Sequence, residues 1–464
     1  QYVAAMGHPG GSRSAVDPRF LSLFQIFELQ PPDEANLKVI YGSIVQNTSQ
    51  SLRIGDDSRR HVVDMTLDLY KSVVAKLLPT PTRFHYIFNL RDLSRLFGGL
   101  SKAVASGEDD TLPFFRLWRN ESIRVFHDRL IADKDRDFVL GKVSSLIRHG
   151  CTDDTSPITS NPILFADYSP LKQIDGSGSS DEVDPSSRLR SYADVGDYAT
   201  IKPWFEDLIN RRNAKLSDGS APTKLVLFDH ALEHITRIHR VLRTENGHAL
   251  LVGVGGSGKQ SLAHLAADMA GCEVFEITLT RGYNDESFRE DLKKLYNVLG
   301  VQNHPTMFLF TDNHVVEEGF LELINNMLTT GTVPALFADE EKDALVNAIR
   351  DDLHANKISV TRDEGWRYFI SRCRKNLHIV LAMSPVGDTL RHRCRNFPGL
   401  VNNTVIDWFT EWPKEALLEV STSLLINVDL PEQFAEKINV HVVHTHCSAI
   451  ALNEKFKSQL KRHN

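Results

Sequence analysis

The chain has 464 residues, 41% of them hydrophobic and 24% charged, with a formal net charge of −7 at pH 7. That length calls for about two to four domains rather than one core, and so small an acidic excess rules out a charged surface of the kind that gathers nucleic acid or anionic lipid. No apolar run approaches the roughly 18–20 residues that cross a bilayer; Cys151, Cys272, Cys373, Cys394 and Cys447 form no CxxC pair, which leaves reduced thiols in a cytosolic compartment as the simpler reading.

The opening "QYVAAMGHPGG" lacks the basic n-region and long apolar core of a signal peptide. It has the pattern of a buried strand entering a Gly/Pro loop, while the closing "LKRHN" stops a helical pattern without a cap, and together they suggest a fragment of a longer protein. Up to about residue 150 the periodicity is helical. "MTLDLYKSVVAKLL" (Met65 to Leu78) is broken by "PTPTRF", and "NLRDLSRLFGGLSKAV" and "NESIRVFHDRLIADKDRDFVLGKVSSLIRH" continue the helical character. "QIDGSGSSDEVDPSSRLR" (Gln173 to Arg190) has the composition of an exposed linker, so a boundary falls between about 150 and 190.

From about residue 225 short apolar strands alternate with amphipathic helices. "HALLVGV" is a strand, followed by a Gly-rich loop and a helix ending at Gly271. "CEVFEITL" is the next strand, then "NDESFREDLKKLYNVLG", a helix with Gly300 as its C-cap. "PTMFLFTD", the helix "VEEGFLELINNMLTTG", and the strands "LHIVLAMSP" and "NNTVIDWF" follow, and then a helical tail. Continuous apolar strands between helices predict an α/β fold, a parallel sheet covered on both faces. No repeat of solenoid period is present.

The stretch Gly253-Val-Gly255-Gly256-Ser257-Gly258-Lys259 satisfies G-x-x-x-x-G-K and lies between a predicted strand and a predicted helix. Glycines allow successive backbone N–H groups to turn inward around phosphates, the helix directs its positive end at the same anion, and Lys259 reaches the β/γ-phosphates. Gln260 stands where a hydroxyl normally ligates magnesium; its side-chain carbonyl, or a bridging water, could take that place. Ser261 is about 100° further round the helix and does not replace it. Asp312, ending "MFLFTD", is the expected acid that holds magnesium through water. The next residue, where hydrolysing ATPases normally carry Glu to orient water, is Asn313, which cannot accept a proton; Glu317 and Glu318 lie a turn further on. Ser384, ending "IVLAMS", is placed to sense the γ-phosphate. Asn313 rather than Gln260 is therefore where weak catalysis is expected to originate.

Other patterns carry less. His230-Ala-Leu-Glu233-His234 matches H-x-x-E-H, but no third ligand is evident and the helix leads straight into the loop strand, so it reads as helix surface or pocket wall. His441, His444 and His446 with Cys447 belong to a periodic helix. "RHRCRN" (Arg391 to Asn396) is basic but short and without interleaved aromatics, so no nucleic acid is expected. No N-K-x-D guanine signature is present.

"LVLFDHALEHITRIHRVL", "LLVGVGGSGKQSL", "FLFTDNHVVEEGFLELINNMLTTGTVPALF" and "LHIVLAMSPVGDTLRHRCRNFPGLVNNTVIDWFTEWP" closely resemble the fourth AAA+ module of dynein heavy chains, with a GKQS loop more like the axonemal than the cytoplasmic branch. "AAMGHPGGSRSAVDPRFLSLF" and "FHYIFNLRDLSRLFGGL" are similar to the C-terminal part of the third module. The resemblance implies four segments: the end of the third module with its helical lid (1–150), a linker (151–190), the large α/β subdomain of the fourth module (191–411) and the start of its lid (412–464). It implies ATP or ADP with Mg2+ at the fourth site, with Gly253, Gly255, Gly256, Ser257, Gly258, Lys259, Gln260 and Ser261 on nucleotide, Gln260 and Asp312 on the metal, and Asp312, Asn313 and Ser384 as the catalytic set. By it, Arg19 matches the arginine finger that the third module offers to the second site, Arg393 or Arg395 the finger offered to the third site, and Arg91 the lid arginine of the third module. The third module's counterpart of Ser384 falls near Gly7.

The same resemblance implies a minus-end-directed, ATP-driven motor of cilia and flagella, located in cytoplasm, cytoskeleton and axoneme. Its partners would be the neighbouring modules, microtubules reached through a stalk outside this chain, and intermediate and light chains, with no membrane partner. The fourth module would bind ATP or ADP, hydrolyse weakly or not at all, and tune the ring. The alternatives are a purely structural nucleotide-binding module or an unrelated P-loop ATPase.

Overall fold

The computed structural model describes residues 2–6, 16–50, 52–103, 110–150, 155–168, 192–215, 225–359, 361–426, 428 and 431–460. Gly7, Cys151 and the expected linker core at 173–190 lie outside the described residues.

The first half is helical: α1 (Pro18–Leu21), α2 (Glu34–Thr48), α3 (Asp56–Lys76), α4 (Leu90–Leu100), α5 (Thr111–Ser122), a π-helical turn (Ile123–His127), α6 (Asp133–Gly150) and α7 (Ser156–Thr159). The stretch from Asn120 to His149, helical throughout by periodicity, is interrupted: the π turn ends α5 and α6 starts afresh at Asp133. Helix α4 starts on a capping box, with Asn89 and Asp92 each satisfying the other's end of the turn. Val62, Leu69, Val73, Leu93, Leu96, Trp118 and Phe126 form one core, in which Trp118 donates its indole N–H to Thr66 Oγ1 at 2.8 Å.

Strand β1 (Phe165–Ala166) pairs antiparallel with β2 (Ala193–Asp194), so part of the expected linker region is built into a small sheet. Helices α8 (Tyr198–Lys215) and α9 (Asp229–Leu242) then lead into β3 (Ala249–Val252) and α10 (Lys259–Ala270). There follow β4 (Glu273–Phe275), α11 (Asp285–Gly300), β5 (Thr306–Thr311) with a 3-10 turn at Asp312–His314, α12 (Gly319–Thr330), α13 (Asp339–Ala348), α14 (Arg350–Ala355) and α15 (Arg362–Asn376). Strand β6 (Leu377–Met383), α16 (Thr389–Asn396), α17 (Gly399–Asn402), β7 (Val405–Trp408), α18 (Lys414–Leu425) and α19 (Glu432–Leu460) complete the order.

Strands β3 to β7 form one parallel sheet in the order β4-β5-β6-β3-β7. Side chains alternate between its faces. Leu250, Val252, Phe308, Phe310, Ile379, Leu381 and Met383 face α11, α12 and α15, whereas Ala249, Leu251, Met307, Leu309, Val380 and Ala382 face α9 and α10. Both faces are buried, which explains why these strands are apolar without alternation. Asn284 caps α11 through Ser287 N at 3.0 Å. Gly300 is not the cap expected for it: it is the last helical residue, and a Cβ there would lie 2.1 Å from the Phe369 ring, so glycine lets α15 approach. Only three residues of "CEVFEITL", Glu273 to Phe275, pair, and β4 is an edge strand with a partner on one side. Among the described residues no helix is long and apolar enough to cross a membrane.

Candidate functional site

The parallel register aligns the C-terminal ends of three strands. Val252 pairs with Met383, and Thr311 with Ala382, so Gly253, Asp312 and Ser384 emerge along one edge of the sheet. The acid is not on the strand next to the loop strand; β6 lies between β3 and β5, and Ser384 lies between the loop and Asp312.

The loop extends this register by one residue, with Gly253 N donating to Met383 O at 3.1 Å. Its following turns need backbone that L side chains rarely adopt: φ is +78° at Gly256 and +86° at Gly258. Helix α10 begins directly after Gly258, aiming its free N–H groups back into the loop. Lys259 folds over the loop, donating to Gly253 O at 2.6 Å, Val254 O at 2.8 Å and Ser257 Oγ at 3.2 Å. Burial lowers the pKa of its ammonium and the Asp312 carboxylate acts in the opposite direction, which places cation and acid within electrostatic reach of each other. Gln260 is exposed on the first turn of α10, and Ser261, one residue on, is half-buried.

Asp312 is held from two sides. Its Oδ2 accepts from Ser384 N at 2.5 Å, and its Oδ1 accepts from Arg393 Nη1 at 2.7 Å. The contribution of Ser384 to the acid is thus its backbone N–H; its hydroxyl accepts from Val386 N at 3.4 Å. Asn313 is exposed beside it. Glu318, a turn further on, accepts from Arg393 Nε at 3.1 Å. Asp312 and the side-chain carbonyl of Gln260 are hard oxygen donors of the type Mg2+ takes while it keeps several waters. A carboxylate beside the phosphate loop and its lysine is a donor set that fits a nucleotide-bound magnesium.

The arginines divide. Arg393, a finger candidate by resemblance, is bound within its own module by Asp312 and Glu318. Arg395 is exposed on the same helix. Arg91, at the start of α4, donates to Asn403 Oδ1 at 2.8 Å, and Arg95 donates to Asn402 O at 3.1 Å. The residues that meet the helical lid here are therefore Asn402 and Asn403, just before β7, which sequence reasoning did not single out. Arg19 is exposed on α1, where its backbone N donates to Asp17 Oδ1 at 2.8 Å and its carbonyl accepts from Ser22 Oγ at 2.7 Å.

The H-x-x-E-H segment forms a wall of the loop. The His234 ring stacks on Phe409 at 3.9 Å, and its Nδ1 donates to Asp407 Oδ2 at 2.7 Å; Phe409 in turn abuts Gly253. Glu233 is taken by the Tyr198 hydroxyl at 2.5 Å and by Arg237, and His230 is exposed. The one signal available in sequence was Asp407 itself, a carboxylate inside an otherwise buried strand, which requires partners. His441, His444 and His446 are exposed along α19.

Residues 223–464 match the family model described as P-loop containing dynein motor region D4, and residues 62–159 match the AAA+ lid domain. The chain is 50% identical over 469 residues to the dynein-1-alpha heavy chain of the flagellar inner arm I1 complex from Chlamydomonas reinhardtii. It is 47% identical over 465 residues to human dynein axonemal heavy chain 10, and 39% identical over 473 residues to mouse dynein axonemal heavy chain 2. Each alignment takes in 100% of this chain but 10% of the relative, so the chain spans about a tenth of the length of these heavy chains. A phosphate loop on a parallel sheet joined to a helical lid, and matched by the dynein motor model over more than half of its residues, places this chain in the dynein heavy-chain family.

Proposed function

We propose that the loop from Gly253 to Ser261 holds ATP or ADP, that Gln260 and Asp312 would hold Mg2+, and that hydrolysis there is weak or absent. The chain would then serve as part of the motor ring of an axonemal heavy chain, with its fourth module tuning the ring. The observation that carries this reading is the line of loop, Ser384 and Asp312 along one sheet edge, followed by an exposed amide, Asn313, where hydrolysis needs a base. Lys259 would meet the β/γ-phosphates, exchanging the Gly253 and Val254 carbonyls for oxygens of higher charge. The N–H groups of the loop and of α10 would cradle the same anion. The metal, when bound, supplies charge neutralisation between phosphate oxygens. Asp312 would orient it, and Ser384 N would fix Asp312.

Asn313 can donate and accept hydrogen bonds but cannot take a proton from water, and loss of a positioned base is worth on the order of 100-fold or more in rate. Asn313→Glu is expected to raise phosphate release from this site on that order, read as the activity that a Lys259→Ala variant lacks. Unchanged release would show that Asn313 does not limit hydrolysis. Bound nucleotide with no release in either form would support a module that never hydrolyses and only transmits conformation. By family, the whole machine would move towards microtubule minus ends in the axoneme, through a stalk outside this chain and in company with intermediate and light chains.

A further inference from the structure

We infer that Arg393 is a built-in competitor of the metal: it occupies the carboxylate that Mg2+ would need, and so sets how strongly the fourth site depends on magnesium. The inference rests on the nucleotide reading of this site. Arg393 is not a loosely placed surface cation. Its side chain is 12% exposed, and it bridges two carboxylates, with Nη1 on Asp312 Oδ1 at 2.7 Å and Nε on Glu318 Oε1 at 3.1 Å. Helix α16 holds it there through buried Leu390 and Cys394.

The other oxygen of Asp312 is engaged as well, with Oδ2 accepting from Ser384 N at 2.5 Å. A divalent cation brought to Asp312 would meet a guanidinium already on one oxygen, and two cations sharing one carboxylate repel. Either Arg393 withdraws to Glu318 alone, or the metal binds less tightly. Glu318 is what makes withdrawal practicable: at 59% side-chain exposure it can follow the arginine outward. The backbone N–H from Ser384 does not compete in this way, since it is neutral and fixed by the strand.

The experiment uses the full chain and measures binding of fluorescent ADP with EDTA and across a Mg2+ titration. The share of the fourth site is taken as the signal lost in Lys259→Ala. In Arg393→Ala the ratio of affinity with Mg2+ to affinity without it is expected to rise about tenfold, within the range usual for two coupled ligands. Glu318→Gln, which leaves α16 untouched, is expected to lower that ratio by removing the carboxylate to which the arginine retreats. A ratio that stays within twofold in Arg393→Ala, or that falls, overturns the inference, because a merely structural arginine would not move it upward. Loss of no signal in Lys259→Ala would instead refute the nucleotide reading itself.

Discussion

At Gly253 the constraint on residue type is packing. A Cβ there would lie 2.6 Å from the Phe409 Cβ and 3.0 Å from Ser257 Oγ, and Phe409 cannot yield easily because it is stacked on His234. At Gly256 the space is open, but φ is +78°, a conformation that costs an L residue about 1–2 kcal/mol. Gly255 has neither restriction: nothing lies within 4 Å and its φ is not in the left-handed range. These differences separate folding from binding. Gly253→Ala is expected to destabilise by about 1–3 kcal/mol through overpacking, and Gly256→Ala by about 1–2 kcal/mol. Gly255→Ala should melt within about 0.5 kcal/mol of the parent, yet lose the rise in melting temperature that ADP confers on it, because only the phosphates need that space. Melting curves with and without ADP check all three. If Gly255→Ala kept its full nucleotide-dependent shift, the loop would not wrap the phosphates as argued.

Helix α11 shows what a residue pattern conveys about an element and what it does not. Asn284 and the apolar positions Phe288, Leu292, Leu295 and Leu299 announce the helix, its start and its buried face. Gly300 resembles a terminating glycine, but it is there because Phe369 of α15 rests against it, a contact between residues 69 positions apart. Gly300→Ala is therefore expected to cost about 1–3 kcal/mol, whereas a cap glycine in a helical conformation would have gained from alanine; thermal melting of the variant decides. The same division runs through the site. The loop, Lys259 and Asp312 are local patterns bounded by a strand and a helix, and they were legible. The strand order, which inserts β6 between loop and acid, depends on packing of helices on both faces and has no local signature. Arg393 on Asp312, and Asn403 beneath Arg91, are pairings across 81 and 312 positions, and no periodicity encodes them. The π turn at Ile123–His127 was equally hidden, because one inserted residue leaves the apolar count of the helix unchanged.

At the scale of the whole molecule, polar and aromatic groups join the lid to the sheet. Arg237 of α9 reaches Asp128 in the lid at 3.0 Å and Asp407 of β7 at 3.2 Å, so one cation serves both halves. His85, from the lid side, donates its Nε2–H to Arg129 O at 2.9 Å, while its ring stacks on Trp408 of β7 at 4.9 Å. Burial lowers the pKa of His85 from 6.5 to about 4, against the pull of the Arg129 carbonyl. Burial likewise lowers His248, at the entry to β3, from 6.5 to about 3. Both are therefore neutral in the fold, and the unfolded chain takes up their protons first. The stability they permit is present above about pH 6.5 and is lost as pH falls towards 4 for His85 and towards 3 for His248, at about 1.4 kcal/mol per pH unit for each. Between pH 6.5 and 4.5 each histidine should remove about 2 kcal/mol. His85→Gln retains a polar group opposite the Arg129 carbonyl and cannot titrate, so its melting temperature should fall less over this interval than that of the parent, by the equivalent of one histidine. Because His85 lies where Trp408 meets the lid, the acid-induced loss should be accompanied by a change in tryptophan fluorescence that the His85→Gln variant lacks. Equal pH dependence in the two proteins would show that His85 is already solvated at that contact and that the lid is held to the sheet by Arg237 and the Arg91–Asn403 contact instead.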